Sequence, residues 1–334
     1  MGKEDVNNAK TRGIHIVDLG MGKMNVKEKL VAWFRLTRLP LYTMAFIAYS
    51  MGAAAAYATA QRFDASVYAL GGFGVILIML NAVIINEYVD YPTDSINKKR
   101  GAFNAGSGVL VEGKLSFSEV KTGIVIIVCL IPICAHVLIQ IDKDASASSV
   151  VALAAIGIFF GWGYTAPPLK FSYHGLGEFV NSLMHGPGIV LAGFVLQTGI
   201  WTNPLPWLLG TPLFLATLAA AILGALPDYR ADIAVSRKTF PVVFGPRWSA
   251  LMALVFITLA PIAGIVLLVL QIIPNPVGIA LLIVVPNALI QVRAIIKMIR
   301  IADYDRNMTD IMKYADLQIL FFGLIPLIAL LWWL

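Results

Sequence analysis

The sequence predicts an all-α, polytopic membrane protein of nine transmembrane helices. Three observations lead there. Of 334 residues, 59% are hydrophobic and only 13% are charged, with a mean hydropathy of +0.80; a soluble globular domain carries about 25% charged residues. Long runs lack Asp, Glu, Lys and Arg altogether. The basic residues fall almost entirely between alternate runs, as they do when one membrane face is cytoplasmic.

The elements follow in order. Residues 1–38 read as a cytoplasmic tail plus an interfacial helix, and 39–334 as the membrane domain. Positions 1–23 are polar and lack the apolar core of a signal peptide. Positions 25–39 are amphipathic, with Val26, Leu30, Trp33 and Phe34 on one face, which suits a helix lying on the leaflet. A span needs about 20 apolar residues. The charge-free runs 39–61, 65–86, 122–141 and 145–169 each supply one. The run 179–227 is long enough for two, and Asn203-Pro204-Leu205-Pro206 reads as its turn. The run 248–292 is also double, broken at Ile273-Pro274-Asn275-Pro276, and 317–334 is the last. Trp332 and Trp333 then sit at the far interface.

With nine spans, 25 Lys and Arg residues divide unevenly. All but Arg62 and Lys143 fall on the side of the N-terminus, so that side is cytoplasmic. The net charge of +6 is thereby explained by topology, and no nucleic-acid partner is expected. Cys129 and Cys134 lie five apart in one span and point to different faces, so they read as packing residues.

Acidic residues are scarce, and their clustering is informative. The second span runs out through Asn86-Glu87-Tyr88-Val89-Asp90-Tyr91-Pro92-Thr93-Asp94, and the sixth through Pro227-Asp228-Tyr229-Arg230-Ala231-Asp232. Spacing by four puts Asn86, Asp90 and Asp94 on one helical face, and Asp228 and Asp232 on another. Pro92 disfavours a regular helix through Asp94, so the first segment is expected to be part helix, part loop. The same offset of 138 positions separates Asp90 from Asp228, Asp94 from Asp232, and Lys99-Arg100 from Arg237-Lys238. Such a repeat suggests two helical halves facing one another across a shared cavity. Two facing carboxylate clusters repel unless cations intervene. Mg²⁺, bound through one or two carboxylates together with phosphate oxygens and water, fits an all-oxygen donor set, and the lack of a Cys/His cluster argues against zinc. The expected ligand is a diphosphate with a hydrocarbon tail, such as a polyprenyl diphosphate, held where an apolar cavity opens to the cytoplasm.

These motifs resemble those of the UbiA superfamily of intramembrane prenyltransferases, over about 35–334. Asn86 to Asp94 resembles the family's NDxxDxxxD motif, with Glu87 in place of the second-position Asp; Asp228 to Asp232 resembles its DxxxD motif, continued here as Ser236-Arg237-Lys238-Thr239. Gly106-Ser107-Gly108-Val109-Leu110-Val111-Glu112-Gly113-Lys114-Leu115-Ser116 is similar to a loop of the MenA-like branch, which prenylates 1,4-dihydroxy-2-naphthoate. Tyr164-Thr165-Ala166-Pro167-Pro168-Leu169-Lys170 and Tyr173-His174-Gly175-Leu176-Gly177-Glu178 are similar to the same branch.

The resemblance implies a bundle of nine transmembrane helices around a central, laterally open cavity, with Mg²⁺ held by Asp90, Asp94, Asp228 and Asp232 with help from Asn86. It implies phosphate contacts from Arg38, Lys99, Arg100, Lys170, Arg237 and Lys238. Ionisation of an allylic C–O bond leaves a cation that aromatic faces stabilise, and Tyr164, Tyr88, Tyr91 and Trp162 are placed for that. The partners implied are a polyprenyl diphosphate, a quinone-precursor aromatic acceptor and the bilayer. A geranylgeranylglyceryl phosphate acceptor, as in archaeal lipid synthesis, is the alternative. An ion-binding transporter or channel is a third reading, set against the confinement of the acids to one membrane face. Three weaker candidates complete the list. His185 is an ionisable group inside a span, whose alternative is a packed neutral ring. The backbone N–H groups of Gly106 to Gly108 could cradle phosphate. Glu112 reads as a solvated loop acid.

Overall fold

The computed structural model describes residues 25–39, 42–96, 106–141, 145–272, 279–304 and 308–332, and among these the chain is helical throughout with only one isolated β-bridge. The helices are α1 (Val26–Thr37), α2 (Tyr42–Ala60), α3 (Ala65–Val89), α4 (Tyr91–Ile96), α5 (Phe117–Ile141), α6 (Ala147–Gly163), α7 (Gly177–Thr198), α8 (Leu205–Ala225), α9 (Tyr229–Ala234), α10 (Phe240–Phe244), α11 (Pro246–Val269), α12 (Val284–Ile301) and α13 (Met308–Trp332).

Local chemistry sets the helix ends. Asn25 and Glu28 form a reciprocal capping box at α1. Asp64 caps α3 by accepting from the Ser66 and Val67 N–H groups, and Ser146 caps α6. Proline stands in the first turn of α8 and α11, where its missing N–H costs nothing. Pro132, Pro212, Pro261 and Pro326 sit inside helices, as neighbouring helices permit in a membrane.

Among the described residues, seven helices are long and apolar enough to cross a membrane: α3, α5, α7, α8, α11, α12 (with the turn from Leu281 that precedes it) and α13. The protein is an integral membrane protein. Nine spans were expected, and the remaining two expected segments are also helices. However, α6 has 17 residues, and α2 meets the criterion only jointly with α1. The expected turn at Asn203 to Pro206 does separate α7 from α8; the one expected at Ile273 to Pro276 lies outside the described residues.

Small residues allow the closest helix crossing. A Cβ on Gly52 of α2 would run into the Val190 carbonyl, and one on Gly193 of α7 into the Tyr49 carbonyl. Ala53 to Ala56 are buried beside that contact. This is how helices associate where lipid removes the hydrophobic drive. On the other side of the bundle, amide side chains tie α11, α12 and α13 together. Asn287 donates to the Tyr314 carbonyl at 2.9 Å, and Gln318 to the Ile257 carbonyl at 3.3 Å.

The face expected on α1 is partly different. Val26, Leu30 and Phe34 are exposed, but Trp33 turns toward the bundle, where its ring lies against Gly123 of α5, beside buried Ala32 and Leu36. Packing on α5 competes with the bilayer for the largest ring and wins it.

Candidate active site

Helical hydrogen bonds continue on either side of the point where the first acidic segment leaves α3. The Asp90 N–H donates to the Asn86 carbonyl at 2.8 Å and the Asp94 N–H to the Asp90 carbonyl at 2.9 Å. Only Asp90 separates α3 from α4, and Asp94 lies on α4 rather than in the expected loop, because Pro92 stands in the first turn, where its missing N–H costs nothing. In the second segment Asp228 stands at the N-terminal boundary of α9 without a side-chain cap bond, and the Asp232 N–H donates back to its carbonyl at 2.8 Å. Asp90, Asp94 and Asp232 are all buried.

Arg237 joins the two segments. Its Nη1 lies 3.1 Å from Asp90 Oδ2 and 4.0 Å from Asp232 Oδ1. Asp90 Oδ2 also accepts from the Asn86 amide at 2.9 Å, and Oδ1 from the Tyr173 hydroxyl at 2.8 Å. Thr239 donates to Asp232 Oδ2 at 2.9 Å. Two buried atoms, Asp232 Oδ1 and Arg237 Nε, have no hydrogen-bond partner among the described residues. An open acceptor and an open donor thus stand side by side, which is costly unless a ligand fills both. Burial pushes the Asp232 carboxyl up to about 7, against the pull of Arg237 and Thr239. Burial is the largest influence and opposes the Arg237 charge, yet Asp90, Tyr164, Asp232 and Tyr173 together outweigh it and keep the guanidinium firmly protonated.

Loop pairing brings Tyr173 to this place. A parallel β-bridge links His174 to Lys238, and Glu178 Oε1 accepts from the Phe240 N–H at 2.8 Å. The loop after α6 is thereby fixed beside the loop after α9. Lys170 Nζ lies 5.0 Å and the Arg237 guanidinium 5.6 Å from the centre of the Tyr173 ring. Burial, reinforced by Asp90, raises the Tyr173 hydroxyl well above its usual range, so it remains a donor.

Glu87 organises the other flank. It accepts from the Ser107 N–H at 2.7 Å and the Ser107 hydroxyl at 2.6 Å, and Arg38 Nη1 lies 3.9 Å away. Gly106, at φ +60°, then passes so close to Asp94 Oδ2 and Glu87 that any Cβ would collide. The Ser107 N–H, offered by the sequence as part of a phosphate cradle, is therefore engaged by Glu87. Glu112 is not a free loop acid: Arg35 grips it with two bonds of 2.9 Å, and that contact, with Lys114, lowers its carboxyl to about 2.

Below these groups lies a cavity of about 610 Å³ between α3, α5, α6 and α7. Arg38, Asn86 and Tyr164 line its polar end, and Trp201 and Trp207 its far end, with mostly aliphatic walls between. Of the expected residues, then, Asn86, Asp90, Asp232 and Arg237 meet directly, with Asp94, Arg38, Tyr164 and Lys170 around them. Lys238 is exposed but anchors the β-bridge, and Asp228 stands one turn before Asp232. Lys99 and Arg100 lie outside the described residues. Sequence reasoning missed Thr239 and the roles of Tyr173, Glu178 and Glu87. A buried acid following a glycine, as at Gly177-Glu178, gives no signal of what it accepts from.

The oxygens gathered here are the carboxylates of Asp90, Asp94 and Asp232, a type of ligand that suits Mg²⁺. No three His, Cys, Asp or Glu side chains converge on a metal site among the described residues.

The profile of the UbiA prenyltransferase family matches residues 45–315. The chain belongs to the UbiA prenyltransferase family. A 2-carboxy-1,4-naphthoquinone phytyltransferase of a Synechocystis strain is 23% identical over 218 residues, covering 63% of this chain and 65% of that protein. The chain spans less than two thirds of the length of the first curated UbiA relatives it matches. Among solved structures, a digeranylgeranylglyceryl phosphate synthase has a TM-score of 0.61 at 18% identity, over 91% of this chain and 99% of that one. A UbiA homolog from Archaeoglobus fulgidus bound to GPP and Mg²⁺ has a TM-score of 0.52 at 16% identity, over 88% and 99%. These structures share the UbiA fold with this chain.

Proposed function

We propose that the protein transfers a polyprenyl group from its diphosphate to an aromatic quinone precursor of the 1,4-dihydroxy-2-naphthoate kind, with Mg²⁺, releasing pyrophosphate. The carrying observation is the pair of open buried atoms, Asp232 Oδ1 and Arg237 Nε, beside Asp90, whose partner Asn86 lines a large apolar cavity. A cation bridging to diphosphate would satisfy the acceptor, phosphate oxygen the donor, and the walls a hydrocarbon tail. The naphthoquinone phytyltransferase similarity and the loops 106–116 and 164–178 support the aromatic acceptor.

In this reading Asp90, Asp94, Asp228 and Asp232, with Asn86, hold Mg²⁺. When bound, the cation neutralises charge that grows on the leaving diphosphate. Arg237 adds a fixed positive charge, and Arg38, Lys170, Lys238, Lys99 and Arg100 supply further phosphate contacts. Tyr173 holds Asp90 in orientation through its hydroxyl. Tyr164 presents an aromatic face at the cavity mouth, where a prenyl cation would form. The aliphatic walls exclude water that would otherwise capture that cation. All nine predicted helices cross the bilayer, with the N-terminus and both acidic segments on the cytoplasmic side.

A second reading takes a geranylgeranylglyceryl phosphate as acceptor, and the fold similarity to the digeranylgeranylglyceryl phosphate synthase favours it. Purified protein supplied with geranylgeranyl diphosphate and either acceptor decides between them. A prenylated naphthoate is the expected product; an ether lipid as the sole product supports the second reading.

A further inference from the structure

The helical path of α7 is interrupted inside the bundle. Residues Met184–Gly188 form a π-turn in which Gly186 has φ −92° and ψ −110°, outside the helical region. Pro187 has no N–H, so the α-helical ladder cannot run through it. The break is packed rather than loose. A Cβ on Gly186 would lie 2.8 Å from the Phe214 nitrogen of α8, and one on Gly210 would run into Pro187. π-Turns of this kind often re-aim a side chain at a functional site.

His185 stands in this turn and lines the cavity. It lies eight residues into α7, about 12 Å from the Gly177 end at 1.5 Å per residue. Its Nδ1 is 2.9 Å from the Asn181 carbonyl oxygen. A carbonyl only accepts, so Nδ1 carries the hydrogen, and in the neutral ring Nε2 holds the lone pair. No group among the described residues hydrogen-bonds to Nε2. The other ionisable side chains lining the cavity are Arg38, Tyr164 and Cys134, and none is a neutral base at ordinary pH. A hydrocarbon tail has no use for such a base, and leaving it unpaired beside apolar walls is unfavourable.

We infer that His185 Nε2 is the general base that binds and deprotonates the hydroxyl of the prenyl acceptor. This inference rests on the proposed transfer reaction and deepens it. The acceptor's O–H bond breaks toward Nε2, and the electron pair moves into the aromatic ring. The ring carbon beside the hydroxyl bonds C1 of the prenyl chain, and the C1–O bond breaks with its pair leaving on pyrophosphate. The carbon that gained the chain passes its hydrogen to the bare oxygen, restoring the phenol. The imidazolium returns its proton to the departing pyrophosphate. The acceptor is thus a phenol whose hydroxyl lies at His185 Nε2 and whose neighbouring ring carbon reaches C1 of the chain beside the diphosphate.

The test uses the full chain in lipid nanodiscs with a prenyl diphosphate and 1,4-dihydroxy-2-naphthoate. Prenyl diphosphate binding and product formation are measured separately. His185→Phe is expected to bind the diphosphate normally and to lose about 10²–10⁴-fold in transfer rate, the range for a missing general base. His185→Ala is expected to recover part of the rate when imidazole is added, and a purely structural ring would show no such rescue. Transfer by His185→Phe at the wild-type rate overturns the assignment alone, as does parallel loss of diphosphate binding in both variants. An unmodified chain that transfers no prenyl group to any acceptor overturns the parent reading, and this one with it.

Discussion

Arg237 Nη1 stands 3.1 Å from Asp90 Oδ2, and this contact ties the two acidic segments, 138 positions apart in sequence, into one site. Both side chains are largely withdrawn from solvent, so neither charge has water to fall back on. Arg237→Met is therefore expected to destabilise the protein by roughly 3 kcal/mol, the lower end for breaking a buried pair. Arg237→Lys keeps the charge but not the planar fork, and is expected to fold yet bind diphosphate more weakly. Thermal unfolding in detergent and a diphosphate binding isotherm check the two parts. A fully stable Arg237→Met with normal binding contradicts both.

Tyr173→Phe removes only the hydroxyl that donates to Asp90 at 2.8 Å and keeps the ring beside Lys170 and Arg237. A hydrogen bond to a charged group contributes about 1.5–3 kcal/mol. Prenyl diphosphate affinity in Mg²⁺ should fall by about 10- to 100-fold if that interaction is lost in full. Direct titration of the variant measures it, and an unchanged affinity counts against an orienting role for Tyr173.

Gly106 and Gly113 make a matched pair. Both have positive φ, but a Cβ on Gly106 would strike Asp94, whereas one on Gly113 meets nothing within 4 Å. Each Gly→Ala change carries a left-handed backbone cost of about 1–2 kcal/mol. Only Gly106→Ala should also raise the Mg²⁺ concentration needed for half-maximal activity, because only it displaces Asp94. Equal Mg²⁺ requirements in the two variants would separate Asp94 from the metal.

Gly193→Val should prevent α2 and α7 from closing, because the added carbon overlaps the Tyr49 carbonyl. Size-exclusion chromatography is expected to show aggregated protein. Cys129→Ala, at an exposed position, is expected to elute as the wild type does.

How far the sequence could be read depended on the range of the interaction. Hydropathy located each apolar segment, because the cost of unpaired backbone in lipid acts on every segment by itself. It did not settle whether α2 and α6 cross the bilayer, since Gly52 and Ala53 to Ala56 are chosen for close packing on α7 as well as for lipid. Spacing by four put Asp90 and Asp94, and Asp228 and Asp232, on common faces, but it says nothing of how two helices are rotated toward each other. That Arg237 stands between Asp90 and Asp232 was therefore not legible. Tyr173 reaches Asp90 only because a β-bridge and Glu178 clamp two distant loops, and no periodicity records such a clamp. Trp33 was assigned to the lipid face by its position on α1, and only the presence of Gly123 opposite redirects it.

The central claim is a diphosphate held through Mg²⁺ between the Asp90 and Asp232 segments. Its most direct test is equilibrium binding of a labelled prenyl diphosphate to the purified chain, with Mg²⁺ or with a chelator, for the wild type, Asp90→Ala and Asp228→Ala. Saturable binding that chelation and each substitution abolish, with folding intact, is the predicted result. Binding that survives both the chelator and the two substitutions would contradict the account.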